Sequence, residues 1–335
     1  MNAPSHLDQA TVLVTGATGF IGSHLVDALL ARGCTVHALV RATSNLRWLP
    51  SGRIHLHRGD LLSGGEWARC LSTVDHVFHC AGLTRARSRA EYFAANAEAC
   101  ERLFEACRKK GRRLRSVVHL SSLAAVGPAH PDSPVDETTP CRPITHYGRS
   151  KRAGEEIALR YSGTLPLVIL RPPVVYGQRE QNFFTYLKTL QRGWALQVGS
   201  ARRMLSLIQV QDLVRAMIRA AGQPPGPEVV YFITDGQVYS WEEVAETAAR
   251  LMGVRPKSLR IPEPVMALGA WVAEGLARIK NQPALLDRQR VREIRQSAWT
   301  ASSRRFFETY DFQPEMTLER GLMVTLNWYR EQGWL

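Results

Sequence analysis

The chain has 335 residues, 45% of them hydrophobic, and its 43 Lys plus Arg against 30 Asp plus Glu give a formal net charge of +13. That length fits one large domain or two intimate ones, and the apolar fraction excludes a mainly disordered chain. No apolar run reaches the ~18 residues of a spanning helix. Met1–Gln9 is polar, without the basic flank and apolar stretch of a signal peptide.

The six cysteines, Cys34, Cys70, Cys80, Cys100, Cys107 and Cys141, include no CxxC pair and no tight Cys/His spacing. They read as free thiols in a reducing, cytoplasmic compartment, with no metal site expected. The arginines are spread along the chain. The one dense basic run, Arg108–Arg113, closes an expected helix, where cations suit the dipole. Nucleic acid is therefore not expected as a partner.

In chain order, Thr11–Thr15 is a β-rich run, and Phe20–Arg32 has helical spacing stopped by Gly33. Strands follow at Thr35–Val40, Arg53–Arg58 and Asp75–His79. A long helix is expected over Ala90–Lys110, a strand at Leu114–Ser121, a helix over Tyr147–Tyr161 and a strand at Leu165–Leu170. Such β-α-β alternation predicts an α/β fold with a doubly wound parallel sheet. Beyond Arg171 the rhythm changes. Short strands (Leu205–Gln209, Val229–Ile233), a surface turn at Gly222–Pro227 and a mostly helical last stretch suggest a smaller mixed region.

Gly16, Gly19 and Gly22 fall between the first strand and first helix, within Thr15-Gly16-Ala17-Thr18-Gly19-Phe20-Ile21-Gly22. Glycines there allow a tight turn and close approach of backbone to a pyrophosphate, and the helix N-terminus favours an anion. At the end of the second strand an NAD-binding chain would place a carboxylate for the ribose 2′-hydroxyl. This chain has Val40 followed by Arg41. A guanidinium without a carboxylate favours a 2′-phosphate, hence NADP(H), with NAD(H) as the alternative. Asp60 and Leu61, in Arg58-Gly59-Asp60-Leu61, follow the third strand, where a short polar side chain could meet the adenine.

Tyr147 and Lys151 stand at i and i+4 in Tyr-Gly-Arg-Ser-Lys, on one helical face. An ammonium there is expected to lower the phenol pKa and make Tyr147 a general acid/base. Ser121 and Ser122 end the fifth strand, at the sheet edge where open α/β sheets bind ligands.

With TGATGFIG, RGDL, HCAG at His79–Gly82, HLSS at His119–Ser122, YGRSK and RPPVVYG at Arg171–Gly177, the first ~215 residues resemble the extended short-chain dehydrogenases/reductases, NAD-dependent epimerase/dehydratase group. The C-terminal pattern is closest to the 3β-hydroxysteroid dehydrogenase and dihydroflavonol reductase-like branch. The resemblance implies a Rossmann-type domain over 1–172, rejoined by part of 205–235, and a substrate-binding region over 173–335. It implies Ser122, Tyr147 and Lys151 as the catalytic set. It places Ala81 and Gly82 on the nicotinamide side of the cofactor, and Pro172 and Pro173 at the turn into the substrate pocket, Pro172 touching the cofactor. Relatives pair through the helices at Ala90–Lys110 and Tyr147–Tyr161, which implies a homodimer.

Sugar-nucleotide members carry an Arg before a V-x-D-L element to grip a diphosphate. Here Leu205 stands at that place, with Arg202 and Arg203 nearby. The expectation is an alcohol/ketone oxidoreductase on an apolar, sterol-like substrate. Two alternatives are a nucleotide-sugar epimerase or dehydratase with retained NAD, and a non-catalytic NADP-binding sensor or scaffold. Pro264–Lys280 is apolar and sparsely charged. It reads as a core helix or lid in preference to an interfacial helix drawn to anionic lipid.

Overall fold

The computed structural model describes residues 7–198, 202–223, 229–280, 282–284 and 286–335, apart from the Arg278 side chain. The first six residues of the polar N-terminus and most of the turn expected at Gly222–Pro227 lie outside these.

The first half runs β1 (Thr11–Thr15), α1 (Phe20–Ala31), β2 (Thr35–Val40), β3 (His55–Arg58), β4 (His76–His79), α2 (Arg89–Phe93), α3 (Ala99–Lys110), β5 (Ser116–Leu120), α4 (His146–Leu159) and β6 (Leu167–Arg171). Then follow β7 (Val174–Tyr176), α5 (Gln181–Gln191), β8 (Trp194–Val198), β9 (Met204–Leu205), β10 (Leu207–Gln209), α6 (Val210–Ala221), β11 (Val230–Phe232), β12 (Tyr239–Ser240), α7 (Trp241–Met252) and β13 (Lys257–Ile261). The chain ends with α8 (Glu263–Ile279), α9 (Arg288–Ile294), β14 (Ala298–Trp299), α10 (Arg304–Tyr310) and α11 (Leu318–Glu331).

Seven strands form one sheet in the order β11-β6-β5-β4-β1-β2-β3, every pair parallel. The sequence explains the positions. β4, β5 and β6 are buried along their whole length, as central parallel strands covered on both faces must be. β3 is His-Leu-His-Arg, mostly exposed, and sits at the edge. One face is covered by α1 and α6 through Leu25, Leu29, Leu213 and Met217. The other is covered by α3 and α4 with Trp67, Leu103 and Phe104. The chain is thus a doubly wound, Rossmann-type sheet with a mostly helical C-terminal region. That region has its own apolar cluster, joining Tyr176, Leu187, Val244, Leu322 and Tyr329.

Two expected elements differ. The helix foreseen over Ala90–Lys110 is interrupted by a π-helical turn at Ala94–Glu98, between α2 and α3. The strand foreseen over Leu205–Gln209 splits into β9 and β10, which join different sheets. Ser206 at the break is fully buried, and its hydroxyl accepts a hydrogen bond from the Ala301 amide at 3.2 Å.

Candidate active site

The sheet order reverses between β1 and β4, so the loops after these two strands diverge and leave a crevice at the sheet's C-terminal edge. Gly16 stands at that point with φ of 73°. A Cβ on it would lie 2.6 Å from the Ala81 amide nitrogen, so only glycine lets the two loops close to this distance. A Cβ on Gly22 would lie 2.2 Å from the Gly16 carbonyl, which fixes α1 against the turn. Gly19 caps α1 without any side-chain hydrogen bond, leaving first-turn amides available to an anion. Thr18, Phe20 and Ile21 are partly exposed around it. A turn with no room for a side chain at Gly16 or Gly22, facing an uncapped helix N-terminus, fits a dinucleotide pyrophosphate.

Val40 is buried at the end of β2, and Arg41 beside it is exposed, with no ion pair among the described residues. Asp60 follows β3 and accepts the Leu62 amide at 2.8 Å, while Leu61 is buried. Ala81 hydrogen-bonds through its amide to the Thr15 hydroxyl at 3.4 Å, and Gly82 is exposed. Pro172 is buried, and its carbonyl accepts the Leu123 amide at 2.8 Å, tying the turn after β6 to the serine loop.

The two serines after β5 have different fates. Ser121 is buried and donates to Glu155 Oε1 at 2.6 Å. Glu155 also receives a two-pronged pair from Arg171, Nε to Oε1 at 2.8 Å and Nη2 to Oε2 at 2.7 Å. Ser121 is therefore part of a buried brace between α4 and β6. Ser122 is partly exposed, caps the short turn Leu123–Ala125 by accepting the Ala124 amide at 3.1 Å, and hydrogen-bonds with Tyr147.

Helix α4 carries the rest. Thr145 caps it, accepting the Gly148 amide at 3.1 Å. A Cβ on Gly148 would fall 2.3 Å from the Ala124 carbonyl oxygen, and one on Gly154 2.2 Å from the Asn96 carbonyl oxygen. These two glycines let α4 press on the serine turn at one end and on the π-helical turn further along. Tyr147 is thereby brought to Ser122. Lys151 is buried, with its ammonium donating to the Leu120 carbonyl at 2.7 Å.

The electrostatics depart from expectation. Burial pushes the Tyr147 phenol up to about 12, while the Ser122 hydrogen bond pulls the other way. The expected lowering of this phenol is not found, burial being the largest effect on it. Burial lowers the Lys151 ammonium itself below the ordinary lysine value.

Sequence reasoning missed Asn96. It lies in the π-helical turn, fully buried, and grips residue 83 from both sides: its Oδ1 accepts the Leu83 amide at 2.8 Å, and its Nδ2 donates to the Leu83 carbonyl at 2.9 Å and to Ser150 at 2.9 Å. Asn96 thus links the loop after β4 to α4. The part played by helix α9 was also missed. Gln289 accepts the His146 amide at 2.9 Å, Glu293 accepts the Thr145 hydroxyl at 3.1 Å, and Arg292 donates to the Ile144 carbonyl at 3.1 Å. The first turn of the Tyr147 helix is held from the C-terminal region.

Two Cys/His groups, hidden by their separation in sequence, come together. His79, Cys100 and His119 converge beneath Lys151, and His37, His57 and Cys70 meet near the β3 edge. Burial, with the nearby Lys151 ammonium adding to it, takes His79 down to about 3, and the same ammonium opposes a cation in the first group. In the second, the His37 and His57 rings hydrogen-bond each other at 2.7 Å.

Residues 12–232 match the model of the NAD dependent epimerase/dehydratase family. The chain is 28% identical to a ceramide reductase of Caulobacter vibrioides, over 98% of this chain and 96% of that protein. It is 30% identical to the 4-hydroxy-2-methyl-3-oxo-4-farnesyl-3,4-dihydroquinoline-1-oxide ketoreductase of Stigmatella aurantiaca, over 79% and 80%. Among solved structures, MoeE5 in complex with UDP-glucuronic acid and NAD superposes with a TM-score of 0.75 at 30% identity, covering 96% of this chain and 99% of that one. The chain belongs to the NAD-dependent epimerase/dehydratase family of enzymes.

Proposed function

We propose that this enzyme interconverts a ketone and a secondary alcohol on an apolar, lipid-like substrate, with NADP(H) preferred. The observation that carries the reading is the convergence of Tyr147, Ser122 and Lys151 beside the glycine turn. A nicotinamide held at the glycine turn would supply or accept the hydride. In reduction, the Tyr147 hydroxyl gives its proton to the carbonyl oxygen, and in oxidation the phenolate takes it back. Ser122 donates a hydrogen bond to the same oxygen and holds it toward the phenol. Lys151, as a cation, stabilises the phenolate as it forms. Asn96 and the Glu155–Arg171 brace keep these groups in register without touching substrate.

Three features support an apolar substrate. Arg203 is committed to the backbone carbonyls of Val198 and Ile294, so it does not stand free to grip a diphosphate. Leu205 is buried in the C-terminal apolar cluster. The two relatives named as reductases act, by their names, on ceramide and on a farnesylated ring. Preference for NADP(H) rests on Arg41 standing exposed beside Val40. The likeness to MoeE5 supports the sugar-nucleotide alternative.

The test is an assay of purified protein with long-chain ketones, sterones and UDP-sugars in turn. Consumption of added NADPH with an apolar ketone is expected. Conversion of a UDP-sugar without net consumption of cofactor would replace this reading with the epimerase one.

A further inference from the structure

Helix α8 packs one narrow stripe inward. Met266 and Ala270 are buried against Val291 of α9, with Val198 and Ile261 alongside. The opposite side is apolar and open. Trp271 is 64% exposed, Leu268 62% and Ile279 83%, with Val265, Val272 and Leu276 also exposed between them. Between Pro264 and Ala277 the one charged residue is Glu274, which is mostly buried and paired with Arg288 at 2.9 Å. Cβ atoms added at Gly269 or Gly275 would meet nothing within 4 Å. The core reading of this segment therefore holds for one stripe of the helix only.

The chain on either side of this helix is basic. From Arg255 to Arg295 there are nine basic residues against four acidic ones. Arg255, Lys257, Arg260 and Lys280 are exposed and make no ion pair among the described residues. A shallow depression lined by Trp271, Leu276, Ile279, Glu274 and Arg288 sets the Glu274–Arg288 pair at the margin of the apolar row, so the unpaired positive charge there, among the described residues, is that of Arg255, Lys257, Arg260 and Lys280. No helix among the described residues is long and apolar enough to cross a membrane.

We infer that α8 docks this protein on an anionic lipid surface, its open face entering the headgroup boundary and the flanking bases meeting the lipid phosphates. A charge-free apolar row beside a cationic rim is the pattern of an interfacial helix. A second copy of this chain fits the face less well, because it would bring like charge to like charge on a molecule already at +13. The docked helix touches the site through α9, which packs on α8 and holds the N-terminus of the Tyr147 helix. Docking rests on the surface alone. That the lipid surface also delivers the substrate rests on the proposed function.

The test is flotation of the full chain with phosphatidylcholine vesicles, with and without phosphatidylglycerol. Wild type is expected to float with the anionic vesicles and to be released about tenfold by omitting phosphatidylglycerol or by raising salt. Leu268→Gln with Leu276→Gln should lose flotation by at least about tenfold. The same variant should keep the thermal midpoint and the turnover of a short, water-soluble ketone. Wild type that stays in the soluble fraction with anionic vesicles overturns the inference, as does a variant that floats equally well. A wild-type dimer that the two changes split, with no flotation, assigns the face to a second copy and also overturns it. Flotation by a protein that reduces no ketone leaves docking standing and removes the reductase reading alone.

Discussion

Gly148 sits against Ala124 so closely that a methyl group on its Cα would come within 2.3 Å of the Ala124 carbonyl oxygen. The obstacle is backbone, which cannot swing aside as a long side chain can. Gly148→Ala is expected to push α4 off the serine turn and separate Tyr147 from Ser122. Overpacking of this kind costs about 1–3 kcal/mol. Activity should fall further than stability, because displacement of catalytic groups by about 1 Å can cost roughly a hundredfold. Thermal unfolding and kcat measured on one preparation check this. Full activity in Gly148→Ala would mean that the contact does not set the Tyr147–Ser122 geometry.

Glu155 is fully buried and holds Arg171, Ser121 and, at 3.3 Å, Arg152. Glu155→Gln keeps the shape but leaves the buried Arg171 guanidinium without its counter-charge. Breaking one side of a buried pair typically costs about 3–5 kcal/mol. Urea unfolding should show a loss in that range. A loss below about 1 kcal/mol would mean that water reaches Arg171 and screens it.

The Tyr147 phenol, held up at about 12 by burial, sets the sign of the pH dependence. Its protonated form, the one that donates in reduction, persists throughout the neutral range. Oxidation needs the phenolate, whose fraction rises about tenfold per pH unit below the pKa. Alcohol oxidation should therefore climb steadily from about pH 7 to about pH 10, while ketone reduction stays nearly flat. An oxidation profile already level below about pH 8 would mean a far lower working pKa, set by Lys151 with its cofactor in place.

Arg41 is the proposed basis for a preference between the two cofactors. A charge-assisted bond to a 2′-phosphate is worth about 1.5–3 kcal/mol, or roughly ten- to a hundredfold in affinity. Arg41→Ala should weaken NADPH by that factor and leave NADH nearly unchanged, and adding Val40→Asp should invert the preference. Paired titrations of both cofactors decide it. Equal loss for both would assign the site to NAD(H).

What was legible in the sequence was what lies close together in the chain. Gly16, Gly19 and Gly22 announce a strand–turn–helix, and Tyr147 with Lys151 announces a helical face. The resemblance already singled out Ser122, but the fate of Ser121 depends on Glu155 of α4, which accepts its hydroxyl and is itself held by Arg171 of β6. Asn96 matters only because a π-helical turn aims it at residue 83, and no periodicity of 3.6 foretells that turn. The role of α9 depends on contacts nearly 150 residues apart in the chain. For Pro264–Lys280, composition indicates an apolar helix but not how little of it the rest of the chain covers.

The central claim is that Tyr147 serves net hydride exchange between an added cofactor and an apolar carbonyl. Its most direct test uses NADPH deuterated at the transferring position of nicotinamide C4, with mass analysis of the product alcohol, on wild type and Tyr147→Phe. One deuterium per product molecule on the carbinol carbon is expected for wild type. Tyr147→Phe should bind the cofactor normally and turn over at least about a hundredfold more slowly. Product without deuterium, or a Tyr147→Phe enzyme within about threefold of wild type, would contradict the account.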